Sequence, residues 1–152
     1  MKYRVIIDSI LSKALILIMG VMVINVLWQV FTRYILGDPS SFTDELARYL
    51  MIWVGVLGAA YVSGQNLHVS IDLIPSRSNK KTQKRLKLTV GVLIILFAVF
   101  ALVIGGSRLV FISYHLGQQS AALQIPLAVV YTVLPLSGLL IVYYKISDLL
   151  NL

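Results

Sequence analysis

The sequence predicts an all-α membrane protein with four transmembrane helices and both termini in the cytoplasm. Three observations carry that prediction. First, 59% of the 152 residues are hydrophobic and 12% are charged, against about 25% charged in an ordinary soluble domain. The mean hydropathy is +0.89. Too few charges remain to cover a soluble surface, and the same composition excludes disorder, which needs few apolar residues and many charges. Second, the charges bound long charge-free runs. Third, the basic residues segregate to one side of the implied bilayer.

The first run is Ala14–Thr32, 19 residues closed by Lys13 and Arg33. At 1.5 Å per residue it covers roughly 28 Å, close to the hydrocarbon thickness. The second run is Tyr49–Ile71, between Arg48 and Asp72, and the third is Leu88–Ser107, between Lys87 and Arg108. The fourth, Leu109–Tyr144, is longer, and His115-Leu-Gly-Gln-Gln-Ser120 in its first part is too polar for lipid. Pro126 suits a first helical position, where its missing N–H is no loss. Residues 1–152 thus read as one four-helix membrane domain, with spans at about 10–33, 44–66, 86–112 and 126–147. Lys2 and Arg4 resemble the basic start of a signal peptide. However, the apolar stretch exceeds a 7–15-residue core and no A-x-A site follows, so an uncleaved first helix is expected.

Of the thirteen basic residues, Lys2, Arg4, Lys13, Arg77, Lys80, Lys81, Lys84, Arg85, Lys87 and Lys145 fall on one side. Arg33, Arg48 and Arg108 fall on the other. The positive-inside rule places the larger set in the cytoplasm. The cluster from Arg77 to Lys87 lies between two spans and has no aromatic residue for base stacking. It reads as a topology anchor facing anionic membrane lipid, and not as a nucleic-acid surface.

The connection from Arg33 to Arg48 is the richest segment. Gly37-Asp38-Pro39-Ser40 signals a turn. Ser41 and Asp44 have capping-box spacing, and Asp44-Glu45 suits the positive end of a helix dipole. Arg48 stands four residues after Asp44 and three after Glu45, so intrahelical pairing is expected. Arg33, Asp44, Glu45 and Arg48 therefore have two readings: a capped helix start at the interface, or a rim that docks a partner protein. Asn25 and Gln29, one turn apart in the first span, should face protein. Gly55, Gly58 and Ala59 give the second span a face of small residues for close helix packing. His68 and Asp72 stand at i, i+4 near the inner interface; two ligands make a poor metal site. Pro135 leaves the Tyr131 carbonyl without its usual donor and should kink the fourth span.

What the spans lack narrows the function. No Asp, Glu, Lys or Arg lies near the middle of any span. A self-sufficient small transporter working as a homo-oligomer would need such a group. No pair of broken helices marks a midplane substrate site. A subunit anchoring haem or quinone would need intramembrane histidine, and a membrane protease would need a nucleophile and base at one depth. With no cysteine in the chain, disulfides and thiolate chemistry are excluded. No catalytic, cofactor or metal residue is assigned, and an accessory or scaffold subunit is expected rather than an enzyme.

Several motifs occur together in a recognisable order. A first span ends in Arg33-Tyr34. Glu45-Leu-Ala-Arg48 follows, then Trp53-Val-Gly-Val-Leu-Gly-Ala-Ala60, then His68-Val-Ser-Ile-Asp72. A basic loop leads to Pro126, Tyr131 and Pro135. Over nearly its whole length the chain resembles the small membrane subunit (the Q subunit, DctQ-like) of tripartite ATP-independent periplasmic (TRAP) transporters. One departure is that Phe42 stands near the place where many relatives carry Trp. The resemblance implies sodium-driven uptake of organic acids, such as C4-dicarboxylates, sialic acid or other sugar acids, across the bacterial inner membrane. It implies a large permease subunit, expected here as a separate chain, that binds substrate and sodium and moves like an elevator. It also implies a periplasmic substrate-binding protein that docks on the outer face. The small subunit would add static scaffold and hold no cofactor of its own.

Overall fold

The computed structural model describes residues 2–38, 40–65 and 80–150. Among these, four helical segments are long and apolar enough to cross a membrane: Arg4–Leu36, Ser41–Gly64, Gln83–His115 and Leu127–Leu150. No strand forms among the described residues. The helices outrun their charge-free cores. The first is already helical at Lys2 and passes through Lys13, and the third begins at Lys80 in the basic cluster. Backbone hydrogen bonds close each turn whatever the side chain, so hydropathy marks the membrane-buried part of a helix and not its ends.

The first span finishes in a π-helical turn, Thr32–Leu36, and stops at Gly37, whose φ of +70° is the left-handed conformation of a helix C-cap. The second starts after Ser40. The expected Ser41–Asp44 capping box does not form. Thr43 donates its hydroxyl to the Ser40 carbonyl at 2.7 Å, and Asp44 is engaged by Gln29 instead. The third span contains a longer π-helical stretch, Ala98–Gly105, before it returns to α-helix over Gly106–His115.

The fourth span is broken. Pro126 sits just before the first helical residue with extended ψ, Leu127–Tyr131 forms a short helix, and Val133–Leu150 continues beyond Thr132. The interruption lies where Pro135 cannot donate to the Tyr131 carbonyl. Trp53 of the second span donates its indole N–H to the neighbouring Val130 carbonyl at 3.1 Å, which gives a half-buried indole its partner.

Across the bundle the order is first, second, fourth, third. The fourth span is the most enclosed, with 39% of its apolar window buried against 11% for the first and third. Leu11, Ala60, Ala98 and Ile141, one from each span, form the core cluster. The closest backbone approaches use glycine. A Cβ on Gly138 would meet Leu102 Cβ at 2.8 Å, and one on Gly106 would meet Leu134 Cβ at 2.9 Å. Large apolar side chains cover the outside of every span. In water that would be an aggregation hazard, whereas against lipid or a partner's helices it is the expected surface.

Candidate functional site

Polar side chains gather at the two ends of the bundle. At the end away from the termini, the centre is Glu45 in the first turns of the second span. One carboxylate oxygen accepts the Ala121 N–H at 3.2 Å and the Tyr49 hydroxyl at 2.8 Å. The other accepts the Ala122 N–H at 2.7 Å and the Leu123 N–H at 3.2 Å. Three successive backbone amides thus form a nest around one carboxylate. The connection between the third and fourth spans is shaped to present them. Gly117 turns the chain with φ of +59°. The Ser120 N–H then donates to the Ile125 carbonyl at 2.9 Å, and the Gln124 N–H returns to the Ser120 carbonyl at 3.1 Å. The Ser120 hydroxyl also accepts from the Leu123 N–H at 3.2 Å, fixing the turn. Glu45 therefore clasps the loop 118–126 onto the start of the second span.

The neighbouring polar groups tie the first span to the second. The Asn25 side-chain amide, buried, donates to the Thr43 carbonyl at 2.8 Å. Gln29 donates to the Asp44 carboxylate. Asn25 and Gln29 both act on the first turn of the second span. Arg33 and Arg48 are exposed, and among the described residues neither is in an ion pair. This end of the bundle thus presents two exposed cations, while the Glu45 carboxylate is engaged within the chain.

At the other end, the first, second and fourth spans meet in a second network. Arg4 forms an ion pair with Asp148 at 2.8 Å and donates to the Gly64 carbonyl at the end of the second span. Its guanidinium lies 5.6 Å from the centroid of the Tyr144 ring, and the Tyr144 hydroxyl donates to Asp8. Lys145, nearly buried, stands 3.6 Å from Asp148. Sequence reading missed this network because Arg4 and Lys145 were counted only as topology charges. The available signal was that Asp8 and Asp148 are the acidic residues placed one near each terminus.

Gly55 and Gly58 have open space where a Cβ would sit, and Ala59 is exposed. Within the chain the closely packed small residues of the second span are Ala60 and Gly64. The Gly55–Ala59 face is left uncovered. His68 and Asp72 lie outside the described residues. Among those described, no three His, Asp or Glu side chains come together as a metal site would require.

Comparison with known proteins follows the same line. Residues 22–152 match the family described as tripartite ATP-independent periplasmic transporters, DctQ component. The sialic acid TRAP transporter small permease protein SiaQ of Vibrio cholerae is 25% identical over 98% of this chain and 84% of its own length. The ectoine TRAP transporter small permease protein TeaB of Halomonas elongata is 27% identical over 96% of this chain and 78% of its own. The sialic acid TRAP transporter permease protein SiaT of Haemophilus influenzae is 33% identical, but over 49% of this chain and 13% of its own length.

Proposed function

The chain belongs to the DctQ component family of tripartite ATP-independent periplasmic transporters, and from that premise we propose that it is the static small subunit of such a transporter. It is a multi-pass protein of the bacterial inner membrane and a permease subunit, not an enzyme. In this reading it packs against a separate large permease subunit, which carries the substrate and sodium sites. Its termini face the cytoplasm, and the rim around Glu45 faces the periplasm, where the substrate-binding protein docks.

The observation that carries this reading is the clasp. Glu45 spends its charge on three backbone amides of a loop 76 to 78 residues away. That interaction binds substrate poorly, but it holds a loop and a helix start in one fixed shape. The Arg4–Asp148 network does the same at the other end. A part against which an elevator moves must be stiff, and these two clamps supply stiffness without any ionisable group in the middle of a span. The exposed Arg33 and Arg48 suit them to acidic groups on a docking protein. The uncovered Gly55–Ala59 face suits close approach of a helix from the large subunit. The match to part of a longer permease protein supports a small element that works with a larger one.

Substrate choice is assigned to the other subunits. Small permease proteins named for sialic acid and for ectoine resemble this chain about equally, at 25% and 27% identity, so the small subunit carries little of the discrimination. Co-purification tests the assembly. The tagged chain, expressed with a large TRAP permease subunit, is expected to retain it through size exclusion, and Gly58→Leu to lose it. Equal retention by wild type and Gly58→Leu would contradict the assigned packing face.

A further inference from the structure

The third and fourth spans touch where Gly106 meets Leu134 and Pro135; a Cβ there would stand 2.9 Å from Leu134 Cβ and 3.0 Å from Pro135 Cδ. On the side of that crossing away from the termini an open groove of about 390 Å³ lies between the two helices. Ser107, Val110, Phe111 and Tyr114 line one wall, and Val129 and Thr132 the other. The break at Thr132 shapes this wall, and the Thr132 hydroxyl is occupied by the Val129 carbonyl at 2.6 Å. Among the described residues, no charged side chain lines the groove.

Beside the groove stands Arg108, the one charged residue between Lys87 and Lys145. It is exposed, and among the described residues it has no ion-pair partner. The contrast with Arg4 and Lys145 is informative, since both of those share Asp148. On the α-helix Gly106–His115, Arg108 is an i, i+3 neighbour of Phe111, whose ring stacks on His115 at 4.8 Å. His115 lies seven positions, about 10 Å of helix, further along. A side chain at that depth reaches the headgroup region by snorkelling. The groove runs beside it with an apolar wall.

We propose that this groove holds one phospholipid, with the headgroup phosphate on Arg108 and part of an acyl chain between the third and fourth spans. A guanidinium matches a phosphate oxygen pair in geometry and charge, and the groove takes hydrocarbon. The lipid fills space that the helix break leaves open and supplies the counter-ion that the described residues do not. This binding requires only membrane insertion and is independent of any partner subunit.

The test uses the full chain purified in mild detergent and titrated with phosphatidylglycerol, read by native mass spectrometry. Arg108→Gln, Val129→Trp and Val92→Trp are compared, the last an exposed position on the third span outside the groove. Wild type and Val92→Trp are expected to retain one lipid at the same apparent affinity. Arg108→Gln should weaken retention about tenfold, and Val129→Trp should abolish it, both with unchanged helix content. Equal retention by wild type and either groove variant overturns the proposal. So does an Arg108→Gln chain that keeps its lipid but loses the large permease subunit, because Arg108 would then belong to a protein interface.

Discussion

Replacing Gly64 by alanine tests the packing at the terminal end of the bundle. A Cβ on Gly64 would stand 2.7, 2.8 and 2.9 Å from three ring carbons of Tyr144. Ordinary contact begins near 3.4 Å, so the ring would have to withdraw by about 0.7 Å. It has little freedom to do so. Tyr144 is 0% exposed, its hydroxyl is held by Asp8, and Arg4 lies over its ring. Overpacking of this kind costs about 1–3 kcal/mol. Gly58→Ala, on the same helix, is the internal control. Nothing lies within 4 Å of the point where its added methyl group would sit, and exchange of a mid-helix glycine for alanine favours the helix by about 0.8–1 kcal/mol. The assay is unfolding of the purified chain in micelles by sodium dodecyl sulfate, followed by far-ultraviolet circular dichroism and by the fluorescence of Trp28 and Trp53. Gly64→Ala should unfold at lower denaturant than wild type, and Gly58→Ala at equal or higher. Equal shifts for the two variants, or a more stable Gly64→Ala, would refute the close contact with Tyr144.

Glu45→Gln keeps the shape of the side chain and removes its charge. Hydrogen exchange at the Ala121, Ala122 and Leu123 amides should accelerate, while the Gln118 amide, bonded to the Ser113 carbonyl at 3.0 Å, stays protected. Arg48→Glu, at an exposed position with no ion pair among the described residues, should leave the unfolding midpoint unchanged and lower uptake by the complete transporter. Asn25→Leu deletes a buried hydrogen bond between the first two spans and should lower stability by about 0.6–2 kcal/mol in the same micelle assay. Arg4→Gln removes the ion pair with Asp148 and one donor to Gly64. Lysine-specific labelling of Lys145 should then rise, because its shared carboxylate and neighbouring ring are no longer held.

The four spans were legible because a bilayer imposes a long apolar run and each run is closed by a charge such as Lys13, Arg33 or Arg108. Their true ends were not. Helices continue into polar sequence, as the third does from Lys80. The orientation of Asn25 and Gln29 toward protein followed from the cost of a polar side chain in lipid, but their targets, a backbone carbonyl and Asp44, did not. Glu45 shows the limit most clearly. Its sequence neighbours suggest Arg48 as a partner, whereas its observed partners are the Tyr49 hydroxyl one turn on and three backbone amides far along the chain. An amide nest has no side-chain signature, and only Gly117 and Ser120 hint at the turn that builds it. The π-helical stretch Ala98–Gly105 is likewise unsignalled, since its residues would serve an ordinary α-helix equally well. Pro135 did announce a distortion, and the break came at Thr132, one turn before it.

A static subunit has no transport activity of its own. Sodium-driven uptake into proteoliposomes tests it directly, with the chain alone, the large permease alone, both together, and both with the periplasmic binding protein and its substrate. Uptake is expected only when the two membrane subunits and the binding protein are all present. Sodium-dependent uptake into liposomes that contain this chain alone would contradict it.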